Sequence, residues 1–187
     1  MLNIIVAIDN NNGIGYKGKL LYSIESDLKR FKELTNDNIV IMGRKTWDNL
    51  PEKNKPLPNR QNIILTKNQN FEVCDYQNGD IYVYNDFEEL FSTILTNEYN
   101  NRWDVDETIF WVIGGKEIYD LFLPYVDKLY VTRIYSTFEA DTFFTIPNGF
   151  YIESHNYIDN DGEIPYAFEI YQNKKRKNFK NGNDSKK

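Results

Sequence analysis

Ile39-Val40-Ile41-Met42-Gly43-Arg44-Lys45-Thr46-Trp47 is the stretch that decides how this chain is built. An apolar, β-branched run breaks at a glycine, and a basic, polar turn then opens a helix. The turn suits an anion: glycine lets the backbone come close, helix N–H groups face outward, and Arg44 and Lys45 add charge. It is neither a Walker loop nor G-x-G-x-x-G. The pattern returns at Phe110-Trp111-Val112-Ile113-Gly114-Gly115-Lys116-Glu117-Ile118-Tyr119, where paired glycines again end a strand before a helix. A glycine pair is also a common way to turn a chain. Two such breaks, both at strand C-termini, point to a dinucleotide crevice.

Outward from these runs, strands are expected at residues 2–8, 38–42, 62–66, 80–84, 108–113, 128–134, 151–157 and 166–171. Helices are expected at 23–35, after Gly43, at 86–96 and after Gly115. Strands separated by helices make a mostly parallel sheet covered on both faces, while the last two, joined by a turn at 159–162, make an antiparallel edge. The expectation is a single α/β domain: a central sheet of about eight strands flanked by about four helices. No internal repeat or interdomain linker interrupts it. Residues 97–106 read as a polar loop and 51–58 as a Pro- and Lys-rich one.

Composition removes several function classes. With 187 residues, 41% hydrophobic and 16% aromatic, one well-buried core is the expectation. Cys74 and His155 are the only cysteine and histidine, so an internal disulfide, a Cys/His zinc site and a His-dependent triad are out of reach. No metal is expected. Cys74 reads as incidental, with no acid–base partner nearby in sequence. The N-terminus lacks the pattern of a secretory leader, and no run approaches the roughly 18 apolar residues of a membrane span. Cytoplasm is the expected compartment and a monomer the expected state. The net charge of −6 conceals a division: residues 174–187 hold seven Lys or Arg and one acid, leaving −12 on residues 1–173. That basic end has no apolar periodicity and reads as a solvated extension rather than a nucleic-acid arm.

Two further features carry chemistry. On a helix, Ile24, Leu28, Phe31 and Leu34 share a face from which Lys29, Lys32 and Glu33 are excluded, and Asp27 falls within it. An ionised carboxylate there needs a partner. The competing reading is an acid favoured by the helix start after a cap at Ser23. Between this helix and the first strand, residues 13–22 hold three glycines interleaved with apolar residues, which suits a lid or a mobile surface loop.

In order and spacing, these segments resemble the dihydrofolate reductase family. The resemblance rests on the first strand with Ala7; Gly13-Ile14-Gly15; Asp27-Leu28 with Phe31-Lys32; Val40 to Trp47; Pro56-Leu57-Pro58-Asn59-Arg60-Gln61-Asn62-Ile63-Ile64-Leu65; Val112-Ile113-Gly114-Gly115 with Tyr119; Leu129-Tyr130-Val131-Thr132-Arg133-Ile134; Asp141-Thr142-Phe143-Phe144; and Phe168-Glu169-Ile170-Tyr171. It spans residues 1–173, which would form the catalytic domain, with 174–187 as a tail outside it.

The family implies NADPH-dependent reduction of 7,8-dihydrofolate to tetrahydrofolate, with hydride reaching pterin C6 and a proton N5. By that resemblance Asp27 would bind the 2-amino and N3 side of the pterin, and Thr132 would join its hydrogen bonds. Tyr22 would join Asp27 and Thr132 among the catalytic residues. Phe31, Leu50, Leu28 and Leu57 would line the substrate site, Ile5 and Ile113 would offer carbonyls, and Arg60 would fork onto the glutamate α-carboxylate. Arg44, Lys45, Thr66 and Lys67 would select the 2′-phosphate of NADPH. Gly43, Thr46, Gly114, Gly115, Lys116, Glu117, Ile118 and Tyr119 would line the rest of the dinucleotide path, with Ala7, Ile14 and Gly15 at the nicotinamide. Leu21-Tyr22 stands where the family commonly has Pro-Trp, which loses a rigid residue and exchanges an indole for a phenol. The segment 51–55 is also slightly longer than in compact bacterial members. Two other readings stay open: a same-fold reductase of a ribosylated pyrimidine, against which Asp27 and Arg60 argue, and a non-catalytic folate- or RNA-binding protein.

Overall fold

The computed structural model describes residues 1–73, 81–96, 108–158 and 164–174. Cys74, the expected loop at 97–106, the turn at 159–162 and the tail beyond Lys174 lie outside these. From the N-terminus the elements are β1 (Leu2–Ile8), β2 (Gly13–Gly15), α1 (Glu25–Thr35), β3 (Ile39–Gly43), α2 (Arg44–Asn49), a 3-10 turn (Glu52–Asn54) and β4 (Gln61–Leu65). There follow β5 (Ile81–Tyr84), α3 (Phe87–Thr96), β6 (Phe110–Gly114), α4 (Lys116–Phe122), β7 (Lys128–Ile134), β8 (Thr142–Phe143), β9 (Phe150–Ile158) and β10 (Tyr166–Asn173).

Eight strands form one sheet in the order β5-β4-β3-β6-β1-β7-β10-β9. The six from β5 to β7 run parallel, and β10 and β9 close the edge antiparallel, as expected. Each buried strand sends alternate side chains to opposite faces. From β1, Leu2, Ile4, Val6 and Ile8 enter a core beneath α3 and α4 that includes Leu90, Phe91, Ile118 and Phe122. Each such side chain contributes roughly 1.5–3 kcal/mol by leaving water. Ile5 points the other way, into a smaller cluster with Val40, Met42, Trp47, Leu57, Ile64 and Trp111, which Phe31 and Leu34 of α1 flank.

Register explains where the sheet opens. The β1–β6 ladder ends at Ile4 opposite Val112, whereas β1 stays paired with β7 as far as Ile8 opposite Arg133. On the other side β6 stays paired with β3 to Met42 opposite Gly114. Beyond Ile4 and Val112 the two central strands part, leaving a crevice at their C-terminal ends, where parallel α/β sheets take ligands.

Two expectations need correction. Helix α1 begins at Glu25 with Ile24 as its N-cap residue and no side-chain capping bond, so Ser23 caps nothing. The short pair β2 and β8 was not foreseen, because two or three residues carry no periodicity; it ties the glycine-rich loop to the far end of the chain.

Candidate active site

Asp27 sits in the first turn of α1, and Thr132 lies on β7. Thr132 Oγ1 donates to Asp27 Oδ1 across 2.5 Å, which gives the carboxylate the partner its place requires. Burial pushes the Asp27 carboxyl above its ordinary value, and the Thr132 hydrogen bond and the Arg30 charge pull it back. The helix-start reading is thus the weaker one: Asp27 belongs to a tertiary pair.

Around it, the second apolar cluster gathers five expected substrate residues from four parts of the chain. Ile5 and Leu57 are buried in it, and Phe31, Leu50 and Ile113 pack against it half-buried. Leu28 departs from the helical-face expectation, being 47% exposed at the rim. Arg60 is buried, its guanidinium carbon 5.6 Å from the centre of the Phe31 ring and its Nε without a hydrogen-bond partner. Burial lowers its pKa, against the opposing charge of Asp37. Asn62 shapes the loop that presents it. The Asn62 side chain accepts from Leu57 N at 3.0 Å and donates to the carbonyls of Leu57 and Arg60 at 3.1 and 3.0 Å.

The two glycine turns meet at neighbouring strand ends. Gly43 pairs with Leu65 and Met42 with Gly114, so Arg44 and Lys45 lie beside Thr66 and Lys67 on one side and Gly114-Gly115 on the other. Neither α2 nor α4 is capped by a side chain at its start. Gly114 has φ +120°, and a Cβ there would meet the Tyr119 hydroxyl at 3.1 Å, so the position requires glycine. The Gly114-Gly115 peptide is cis. Thr66 is buried, Lys45 and Lys67 are exposed, and Arg44 pairs with Asp48 at 2.7 Å while staying half-exposed. On α4, Lys116 pairs with Asp120, Glu117 is exposed, and Ile118 and Tyr119 are buried. Tyr119 donates to the carbonyl of Ile5 at 2.9 Å, across the place where β1 and β6 part. Burial, with the charge of Asp27 acting the same way, pushes its phenol well up, so it remains a donor.

The loop over the crevice is latched rather than loose. Asp9, fully buried, accepts from Gly13 N at 2.7 Å, Asn11 N at 2.9 Å and Phe138 N at 3.0 Å. Asp141 accepts from Lys17 N at 2.8 Å, and its own N–H donates to the Gly15 carbonyl at 3.1 Å. Ile14 packs on the main core, and Ala7 beside Ile24. Tyr22 is 36% exposed and stacks on Phe138 with centroids 5.6 Å apart. Its hydroxyl makes no hydrogen bond among the described residues, so the structure does not bring it to Asp27 and Thr132.

Sequence reading missed Asp9, Arg30, Asn62 and Asp141 as shaping residues. Asp9 looks like the polar end of a strand, and Asn62 like a strand residue. Asn62 and Asp141 fell within segments that resemble the family without a role being assigned to them, and Arg30 lies three residues after Asp27 on the same helix.

A carboxylate held in an apolar recess, beside a dinucleotide-type crevice with cations at its far end, defines a nucleotide-dependent α/β reductase. The sequence model of the family described as dihydrofolate reductase matches residues 1–175. The viral dihydrofolate reductase of Saimiriine herpesvirus 2 is 36% identical, covering 92% of this chain and 84% of its own. The mouse dihydrofolate reductase is 34% identical over 92% of this chain and 97% of its own. Among solved structures, dihydrofolate reductase from Enterococcus faecalis, complexed with NADP(H) and RAB-propyl, superposes with a TM-score of 0.75 at 29% identity, covering 92% of this chain and 96% of that one. The chain belongs to the dihydrofolate reductase family, and its reaction is the NADPH-dependent reduction of dihydrofolate.

Proposed function

We propose that Asp27 and Thr132 form the pterin-orienting pair of this reductase. The observation that carries the reading is the 2.5 Å bond from Thr132 to Asp27 beside the parting of β1 and β6. The ionised carboxylate accepts from the 2-amino group and ring N–H of the pterin, a charge-assisted contact that fixes the ring and favours its protonated, more electrophilic form. Thr132 fixes which carboxylate oxygen stays available. Phe31, Leu50, Leu57 and Ile113 exclude water from the ring's faces, and Leu28 closes the rim. Arg60, buried with an unpartnered Nε, forks onto the α-carboxylate of the glutamate. The carbonyls of Ile5 and Ile113 accept from the pterin edge.

The donor set at the other end of the crevice fits a phosphorylated dinucleotide. Arg44, Lys45, Thr66 and Lys67 stand at adjacent strand ends and match a 2′-phosphate, while Gly43, Thr46, Gly114, Gly115, Lys116, Glu117, Ile118 and Tyr119 line the path inward to Ala7, Ile14 and Gly15. When bound, NADPH supplies the hydride that reaches pterin C6. The loop latched by Asp9 and Asp141 governs which water reaches N5 with the proton, and Tyr22 acts through that loop and its stacking on Phe138.

Residues 1–173 form the catalytic unit of this reading, with 174–187 outside it. The protein works as a cytoplasmic monomer without nucleic acid; no helix among the described residues is long and apolar enough to cross a membrane. The test is the loss of nicotinamide absorbance on mixing with dihydrofolate, run with NADPH and NADH side by side. Turnover with NADPH that Asp27→Asn abolishes supports the assignment. Full activity in Asp27→Asn removes it.

A further inference from the structure

Arg30 is a cation that the roles above leave unused. It follows Asp27 by three residues on α1, which places the two side chains next to each other on one helix face. Its guanidinium carbon lies 4.3 Å from the centre of the Phe168 ring and 5.7 Å from that of Tyr130. Sheet register explains the pairing of these rings: Phe168 on β10 stands opposite Thr132 on β7, and Tyr130 is two residues before Thr132 on the same strand face. Tyr130 is in turn held edge-on against Trp111 at 4.8 Å. The guanidinium is thus fixed by two aromatic rings, Tyr130 on the strand that carries the Asp27 hydrogen-bond donor and Phe168 on the strand paired with it.

Nothing in the described residues neutralises it by contact. Arg30 Nη1 is buried without a hydrogen-bond partner, and among the described residues the side chain forms no ion pair. An arginine clamped in an apolar place without a contacting anion acts on its surroundings through its field, which a low-dielectric recess screens poorly. The carboxylate that feels that field is Asp27.

We infer that Arg30 is a positioning residue for the pterin site: held by Phe168 and Tyr130 three residues along α1 from Asp27, it presents its positive charge to that carboxylate and favours the charged form that meets the substrate. This rests on Asp27 being the carboxylate that meets the substrate. The groups that face Asp27 are Arg30 from its own helix, Thr132 from β7 and Tyr119 from α4; Tyr130 of β7 faces Arg30 instead, and β10 presents Phe168, which does not titrate. Thr132 does not titrate either, and burial keeps the Tyr119 phenol neutral. Arg30 is therefore the cation, among the described residues, that favours the charged form of Asp27, acting with the Thr132 hydrogen bond and against burial.

The experiment is the pH profile of kcat/KM for dihydrofolate at saturating NADPH in wild type, Arg30→Met and Arg30→Lys, with Asp27→Asn beside them. Loss of the cation moves the Asp27-dependent midpoint upward by about one pH unit, the lower end of what an opposite charge at roughly 4–6 Å produces. Arg30→Lys, which keeps the charge, returns most of the way to wild type, and KM for NADPH is the same in all three. A uniform fall in rate across pH with an unmoved midpoint would mean a packing role and overturn the inference. So would a profile indistinguishable from wild type. If Arg30→Met does not fold, Arg30→Gln replaces it with a neutral planar end over Phe168. Failure of both neutral variants to fold would assign Arg30 to the stability of the core and likewise overturn the inference. A wild-type rate in Asp27→Asn would instead sink the underlying assignment of Asp27, so the two failures are told apart.

Discussion

Thr132 reaches across 105 positions of sequence to hold Asp27 by a 2.5 Å hydrogen bond, linking the seventh strand to the first helix at the mouth of the crevice. The bond engages Oδ1 of the carboxylate and, in the proposed reading, leaves Oδ2 as an acceptor for the pterin. Its removal should therefore affect binding of the pterin while sparing the dinucleotide.

Thr132→Val tests this with a side chain of the same shape. A lost hydrogen bond to a charged group costs about 1.5–3 kcal/mol, which corresponds to a fall of roughly 10- to 150-fold in kcat/KM for dihydrofolate. Thr132→Ser should recover most of it, and KM for NADPH should stay unchanged in both. Steady-state kinetics with each ligand varied in turn checks the pattern.

Asp27→Asn should separate activity from stability. Burial raises the folded-state pKa of Asp27 above its ordinary value, so the folded protein holds this proton more tightly than the unfolded chain. The group's contribution to stability is full below the unfolded pKa and falls as pH rises through the folded pKa. At neutral pH the ionised carboxylate costs stability, and Asn removes that cost. The variant should melt at an equal or higher temperature than wild type at neutral pH, lose its advantage in acid, and reduce dihydrofolate far more slowly. A Tm below wild type at neutral pH would contradict the assignment of burial as the dominant influence.

Arg60→Lys should injure recognition of the glutamate alone. Lysine keeps the charge but not the planar fork, so KM for dihydrofolate should rise roughly tenfold, the equivalent of about 1.4 kcal/mol. With a dihydropterin lacking the glutamate, wild type and variant should give the same kcat/KM. A loss of equal size on both substrates would place Arg60 in the packing of Phe31 instead.

Asp9→Ala leaves the N–H groups of Asn11, Gly13 and Phe138 without their acceptor. Each unsatisfied buried group costs on the order of 1–3 kcal/mol where it cannot reach water, and partial relaxation of the loop returns some of it. A destabilisation of about 3 kcal/mol in urea unfolding is expected, together with faster amide exchange at Gly13 and Phe138. Unchanged exchange at these two amides would show that Asp9 does not hold the loop.

Much of this was readable in the chain alone. The apolar runs that end at Gly43 and Gly114 defined buried parallel strands, and alternating strands and helices defined the layers, because burial on both faces needs continuous apolar sequence and leaves it nowhere else to go. Asp27 stood out as a charge on an apolar helix face and the glycine turns as breaks suited to an anion, whereas Phe31 and Arg60 were singled out by the family resemblance. Tertiary structure decided the rest. That Thr132 is the partner of Asp27, that β1 and β6 part after Ile4 and Val112, that Tyr119 caps the Ile5 carbonyl, and that Arg30 is clamped by Phe168 and Tyr130 all depend on strand order and register. Leu28 at the rim and Tyr22 against Phe138 departed from expectation for the same reason. Periodicity along a chain says which side of an element is buried, but which residues meet there is set by neighbours tens of positions away, and only the packed sheet brings them together.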